Sequence, residues 1–267
     1  MDSLLGYATL LNAGHMLSVL LPKQSQVSNK NLNVIFVIFN GESYDYIGSQ
    51  RFVYDLDNLE FPTRSTRTDA ISFENIEFML DIGVLDDVSN LKLHTLNRFS
   101  HYNTVLEKLQ RYANQFDFNL NVEPVLGTHL PPTSAQSFLR KNTSFPAMII
   151  NSPPSNKYYH SIYDNKENVH FSYGNKTLPF MNLMTNNEAL EYFSADSVQM
   201  KIRNVSSLIG MALYEILTGS QYQGTTLANP LLVDELLYCF LESADCPLFK
   251  AASHPNSLPG LQMPPIR

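Results

Sequence analysis

No part of this 267-residue chain is an apolar run approaching the roughly 20 residues that a membrane-spanning helix needs. The longest candidates, Val34-Ile35-Phe36-Val37-Ile38-Phe39 and Leu208 to Leu217, have the lengths of a strand and a short helix. A charged n-region followed by an apolar h-region and a cleavage site is also missing, and Met1-Asp2-Ser3 leads straight into a helical pattern. At face value this is a soluble chain that starts inside a domain. Basic residues are few and scattered, 18 Lys and Arg against 25 Asp and Glu, so no basic stripe supports a nucleic-acid site. Charged residues make up only 16% of the chain and hydrophobic ones 44%, a balance that buries a core and excludes disorder of the whole. No internal repeat divides the chain, and its length suits one large α/β domain better than two small ones.

Cysteine occurs twice, at Cys239 and Cys246, close enough to close a small loop in an oxidising compartment. Two free buried thiols are the alternative. Three N-x-S/T sequons, at Asn142, Asn175 and Asn204, permit glycosylation. In a chain this rich in Asn, Ser and Thr, roughly three or four such matches arise by chance, so they do not establish secretion.

Residues 4 to 20 carry Leu4, Leu5, Ala8, Leu11 and Leu17 near helical spacing, which predicts an amphipathic first helix. Leu32 to Phe39 is continuous, β-branched and aromatic, the profile of a buried strand in a parallel sheet. Asn40-Gly41-Glu42-Ser43 turns out of it, and Tyr46 to Leu56 has a helical pattern. A second strand is expected within Phe73 to Val84, and a long helix from Leu91 to Phe116. Ala147-Met148-Ile149-Ile150 reads as another inner strand, Ser197 to Leu217 as a helix capped by Gly219, and Leu231 to Leu241 as a further helix. Strands alternating with helices of this length predict an α/β fold, a mostly parallel sheet with helices on both faces. Residues 1–249 are expected to form this domain and the Pro-rich residues 250–267 a disordered tail.

The segment Phe39-Asn40-Gly41-Glu42-Ser43-Tyr44-Asp45-Tyr46-Ile47-Gly48-Ser49 resembles the nicastrin family, whose peptidase-like domain is named for the pentapeptide Asp45-Tyr46-Ile47-Gly48-Ser49. Arg51, Val53, Tyr54, Asp55, Phe61 and Pro62 match its continuation. Asn156-Lys157-Tyr158-Tyr159 with Ser161-Ile162-Tyr163-Asp164 and Glu167-Asn168 form a second matching block, and Ala212-Leu213-Tyr214-Glu215 a third. The resemblance spans residues 2 to 249. It implies a mixed, mostly parallel sheet of the zinc-aminopeptidase (phosphorylase/hydrolase-like) type, truncated at its amino end.

Nicastrins in turn resemble co-catalytic zinc aminopeptidases, in which a strand ends in F-x-G-E-E-x-G-L-x-G-S. The first Glu of that motif is the general base and the second a zinc ligand. Here Glu42 takes the base position, while Ser43 takes the ligand position with a neutral hydroxyl that is a poor donor to Zn²⁺. Asp81, in Met79-Leu80-Asp81-Ile82-Gly83, fits the Asp ligand of N-L-D-M-x-G, and His160, with Asp164 after it, fits the His of Y-H-T-x-x-D. Asp2 fits the bridging Asp, and the family's other His would lie upstream of it. A two-metal site must hold its ions roughly 3.5–4 Å apart. With one ligand replaced and another outside the chain, the resemblance implies no peptidase activity, no bound metal and no cofactor.

Other readings of the same residues stay open. Glu42 either meets the free amino terminus of a substrate or is a structural carboxylate bonded to backbone N–H groups. Tyr46 either lines the same pocket or is simply packed, and Asp45 is expected to cap the following helix. His160 among Tyr158, Tyr159 and Tyr163 is either a hydrogen-bonded core histidine or, with Asp81, a relic metal half-site.

What the resemblance implies for function is a non-catalytic subunit of γ-secretase that recognises or sterically gates substrates and supports maturation of the complex. Its partners would be presenilin and the other subunits, with type I membrane proteins such as Notch as substrates. The parent protein would be a membrane-anchored glycoprotein whose ectodomain faces the lumen or exterior, from the ER through the Golgi to the plasma membrane. The rival is an active zinc-dependent aminopeptidase, or a related cyclising transferase, that tolerates Ser43. A truncated or spliced product with no stability of its own is a third reading.

Overall fold

The computed structural model describes residues 4–21, 32–62, 69–86, 88–152, 161, 163, 165–175 and 181–252. The expected positions Asp2 and His160, with Tyr158, Tyr159 and Asp164, lie outside the described residues, as do residues 253–267 of the expected tail.

The chain enters through helix α1 (Leu4–Leu20), whose Leu5, Ala8, Ala13, Met16 and Leu17 are buried at the helical spacing the sequence displays. Helix α2 (Ile47–Asp57) follows the Gly41 turn. Of the second expected strand only Met79–Ile82 forms a strand, β1, while Phe73–Asn75 make a 3₁₀ turn behind Ser72. The span Leu91 to Phe116, expected as one helix, splits into strand β2 (Asn90–Thr95) and helix α3 (Ser100–Gln115). The reason lies in period: Leu91, Leu93 and Thr95 alternate inward before Tyr102, Val105, Leu109 and Tyr112 take up helical spacing.

Strand β3 (Asn121–Leu126) and helix α4 (Ala135–Lys141) come next, then strand β4 (Ala147–Asn151). The two-residue strands β5 (Met184–Thr185) and β6 (Thr226–Leu227) pair with each other, and Thr185 with Glu188 forms a capping box at the short helix α5 (Asn186–Leu190). Helix α6 (Val198–Thr218) begins where the Ser197 hydroxyl accepts the Met200 N–H and ends on Gly219, at φ 73°. Helix α7 (Pro230–Leu241) starts behind the Asn229 cap with Pro in its first turn. Helix α8 (Pro247–Ala252) runs past residue 249, where the sequence places the end of the domain.

The main sheet has the order β1-β4-β2-β3: β1 and β4 are parallel, β2 and β3 are parallel, and β4 and β2 are antiparallel. β4 is the central divider. Its Met148 and Ile150 join the large core beneath α1, α3, α6 and α7, while Ala147 and Ile149 join a second core with Val53 of α2 and Phe138 of α4. Helices therefore cover both faces, as an α/β fold requires.

One expectation is overturned. Leu32 to Phe39 belongs to no strand, and its backbone makes no hydrogen bond to the backbone of any described residue. Ile35, Phe36 and Ile38 are 54%, 40% and 54% exposed, far from a buried inner strand. The segment lines the same cavity as β1, which among the described residues pairs only with β4. An apolar β-branched run specifies extension; whether it becomes an inner strand depends on neighbours on both edges.

Candidate functional site

The turn after residue 39 is built around two glycines. Gly41 has φ 76°, which a side chain rarely adopts. A Cβ on Gly48 would stand 2.2 Å from the Asn40 carbonyl oxygen, so the first turn of α2 packs against the loop only without a side chain there. Between them Asp45 and Tyr46 both take left-handed conformations, with φ of 58° and 60°.

This turn delivers Glu42 to the start of α2. Glu42 Oε1 accepts the backbone N–H of Ser49 at 2.8 Å, and Oε2 accepts the Ser134 hydroxyl at 2.5 Å. The buried Ser49 side chain in turn meets Ser137 of α4 at 2.8 Å. Ser49 and Gly48 of the pentapeptide thus fix one carboxylate between two helices. The expected cap, Asp45, does not perform this role: its carboxylate points toward Arg140 at 3.8 Å, and the residue at the cap position is Tyr46. Tyr46 is half-buried, and its carbonyl accepts the Gln50 N–H and the Ser49 hydroxyl.

Asp81, near the end of β1, reaches the same place from the sheet. Its Oδ2 accepts the Thr133 hydroxyl. Burial pushes its carboxyl above the usual range, and the nearby Glu42 charge adds to the rise. The Thr133 hydroxyl and the N–H groups of Ala135 and Ser134 oppose it without cancelling it. Thr133 and Ser134 therefore tie both carboxylates to the start of α4. Sequence reasoning missed these two hydroxyls. Pro131-Pro132-Thr133-Ser134 ahead of an apolar run carried the signal of a helix start.

Glu42 and Asp81 sit on the wall of a cavity of about 620 Å³. Its remaining lining is mostly apolar, from Leu32 to Phe39, β1, α1 and the end of α6, with Phe52 and Phe138 on the opposite side. The charged residues lining it are Glu42, Glu77 and Asp81, with no Lys or Arg among the described residues. Such a surface favours a ligand with an apolar body and a cationic end. Among the described residues no group of three or more His, Cys, Asp and Glu could hold a metal ion, and Ser43 is exposed on the turn.

The remaining expected positions lie elsewhere. Cys239 and Cys246 are joined by a disulfide between the end of α7 and the start of α8, with Cα atoms 5.4 Å apart. Asn142 follows α4 on the surface, and its side chain accepts the Ser144 N–H at 3.0 Å. Asn175 is exposed with φ 47°. Asn204 lies inside α6 beside Arg203, and the hydroxyl of its sequon partner Ser206 is buried against the Ile202 carbonyl. Among the described residues no helix is long and apolar enough to cross a membrane.

Residues 1–214 match the family model of the nicastrin large lobe. Human nicastrin is 32% identical over 247 residues, covering 86% of this chain and 32% of that protein. Nicastrin of Arabidopsis thaliana is 24% identical over 276 residues, covering 96% of this chain and 35% of the relative. The chain thus spans about a third of the length of these curated relatives. A crystal structure of the γ-secretase component nicastrin superposes with a TM-score of 0.62 at 21% identity, covering 90% of this chain and 40% of that one. That likeness extends to the fold.

Proposed function

The chain belongs to the nicastrin family, and from that premise we propose that it acts without catalysis, as the recognition or gating part of a γ-secretase subunit. The observation that carries this reading is the engagement of Glu42, with a backbone N–H on one carboxylate oxygen and the Ser134 hydroxyl on the other. These two bonds leave lone pairs on the carboxylate, but a general base also needs a metal-bound water, and among the described residues no group of three or more His, Cys, Asp and Glu could hold the ion. Glu42 instead secures the helix junction, and Ser43 beside it offers a neutral oxygen where a two-metal site needs a carboxylate.

In this reading the acidic end of the cavity meets the free amino terminus of a short extracellular stub, and Tyr46 borders the approach. Long ectodomains are excluded by steric clash, which requires no gain in affinity for short ones. The parent protein is membrane-anchored, with this domain on the lumenal or extracellular side, and assembles with presenilin and the other subunits. Asn142, Asn175 and Asn204 are its candidate glycan acceptors. Asp81 is left as the relic of a metal site whose other positions, Asp2 and His160, fall outside the described residues.

The test is elemental analysis of the domain, extended upstream to include the second His, together with an aminopeptidase assay in added zinc. Near-zero zinc and no cleavage are expected. One or two tightly held zinc ions per chain with amino-terminal cleavage would overturn the reading in favour of an active aminopeptidase. Glu42→Ala in the full-length protein separates the two modes of gating. Normal assembly with lost processing of short-stub substrates supports direct contact, and defective assembly supports a purely structural Glu42.

A further inference from the structure

Residues 172–174 are tied to the middle of α7 by side chains that the recognition reading does not use. Gly174 gives its N–H to both Asp234 oxygens, at 3.1 and 3.0 Å. The Gln199 amide of α6 joins the two, donating to the Ser172 carbonyl at 2.9 Å and to Asp234 Oδ1 at 2.8 Å. The Tyr173 hydroxyl donates to Glu235 Oε1 at 2.6 Å, and its ring stacks on Tyr238 with centroids 4.1 Å apart. The fit is close. A Cβ on Gly174 would stand 2.9 Å from the Phe193 ring and 3.0 Å from Asp234 Oδ2.

This cover hides two carboxyl groups without neutralising them. Asp234 is 1% exposed and Glu235 6%, and Glu235 Oε2 is buried with no hydrogen-bond partner. The donors that reach the pair are an N–H, an amide and a phenol, and among the described residues no Lys, Arg or His is bonded to either. On α7 the next charge is Glu242, whose partner is Lys166 at 3.4 Å. Glu167 and His170 of the covering segment are exposed. On α6, Lys201 is exposed and Arg203 is bonded to Ala228 and Met184, which leaves the neutral Gln199. Burial raises the Asp234 carboxyl above its ordinary range. The bonds from Gln199 and Gly174 oppose the rise, and the charges of Glu235 and Glu242 add to it.

We propose that residues 172–174 form a proton-controlled strap, closed over α7 while Asp234 holds a proton and loosened when the proton leaves. The device goes beyond the recognition reading and does not depend on it. Lifting the strap admits water to Asp234 and Glu235, so opening is coupled to ionisation. A carboxyl raised in the closed state stabilises closure below its ordinary value, and the contribution is lost as pH climbs through the raised value. The strap is therefore firmer in acid. The Glu215 clamp between α3 and α6, whose carboxyl is lowered by Lys108, Tyr112 and Arg111, responds in the opposite sense.

The test is hydrogen exchange of the purified chain at about pH 4 and about pH 8, with labelling times scaled to the intrinsic rate. Protection at residues 169–175 is expected to fall about threefold or more between the two, while β4 stays constant. Equal protection at both values, weaker protection in acid, or a fall shared by β4 overturns the proposal. Asp234→Asn keeps an acceptor for Gly174 and Gln199 and carries no charge. It is expected to hold the strap equally at both values, and a fall as large as that of the unaltered chain overturns the assignment to Asp234. If that variant does not fold, Gly174→Ala decides, because its Cβ displaces the strap. Low protection at both values supports the proposal, and an undiminished pH response overturns it.

Discussion

The helical side of this domain and the open edge of its sheet handle polar groups in opposite ways. Between α1, α6 and α7, Arg203 and Asp234 are buried and hydrogen-bonded, while Asn12 Oδ1 and Glu235 Oε2 have no partner among the described residues. Arg203 is fully buried and donates to the Ala228 and Met184 carbonyls and to the side chains of Asn186 and Asn204. Burial lowers its guanidinium to about 10, still charged at neutral pH. Asp234 is buried too, and accepts from Gln199 and the Gly174 N–H. Gly210 brings α6 so near α1 that a Cβ there would lie 3.0 Å from the Met16 sulfur. Around the cavity beside β1, by contrast, residues 32–39 make no backbone–backbone hydrogen bond among the described residues, and Ile35, Phe36 and Ile38 are exposed. A closed network stabilises a fold by itself, whereas an open edge is a surface for something else.

The largest test of this contrast is Arg203→Ala, which strands four acceptors around an empty space. A loss of about 3 kcal/mol is expected from the midpoint of urea unfolding. Phe36→Ala, at the half-exposed edge, is expected to cost less than about 1 kcal/mol in the same measurement. Equal losses would mean the edge is as much a part of the core as α6.

Next in size is the disulfide. Cys239 and Cys246 close a loop of 7 residues, and replacing both with Ser is expected to cost about 2 kcal/mol by the loop-entropy relation. Thermal unfolding with and without reductant would check it. A smaller loss, about 1–2 kcal/mol, is expected for Glu42→Ala, which releases the Ser49 N–H and the Ser134 hydroxyl. Glu42→Gln keeps an acceptor and is expected to recover about half. No recovery would mean that the charge, rather than the hydrogen bonds, holds the junction.

The smallest effects lie in pH dependence, and their signs oppose each other. At Glu215 burial raises the carboxyl, but hydrogen bonds from Lys108 and Tyr112 and the charges of Lys108 and Arg111 outweigh it and hold it below its ordinary 4.5. A depressed acid stabilises the fold above that ordinary value, and the contribution is lost as pH falls through the folded value. Asp234 is raised above its ordinary 3.8 by burial, with Glu235 and Glu242 adding to the rise against Gln199 and Gly174. Its stabilisation is full below 3.8 and falls as pH climbs through the raised value. Glu215→Gln is therefore expected to flatten the acid limb of a stability profile, and Asp234→Asn to remove a decline on the side above 3.8. Matching slopes from the two variants would refute the contrast.

Much of the fold was legible in the residues. The periodicity of α1, the Ser197 and Gly219 caps of α6, and the short β-branched run of β4 each specify their element locally. Strand β2 was hidden because Leu91 and Leu93 run into the helical apolar set of α3 with only a short turn between. Strand β3 was hidden because Asn121-Val122-Glu123-Pro124-Val125-Leu126 is a half-exposed edge strand interrupted by proline. At the site, Glu42, Ser43 and Asp81 could be singled out from motifs. Thr133 and Ser134, which hold the two carboxylates, could not, because they lie 52 and 92 residues away in sequence from their partners.

The sequence by itself determined which segments coil, which extend, and that the chain carries the nicastrin pattern, since helical caps, glycine turns and apolar periodicity act within a few residues. Tertiary structure alone decided that Leu32 to Phe39 joins no strand among the described residues and that Glu42 is tied to α4. Both outcomes depend on which distant elements come alongside, and pairing across a sheet or a cavity is a property of neighbours rather than of the segment that makes it.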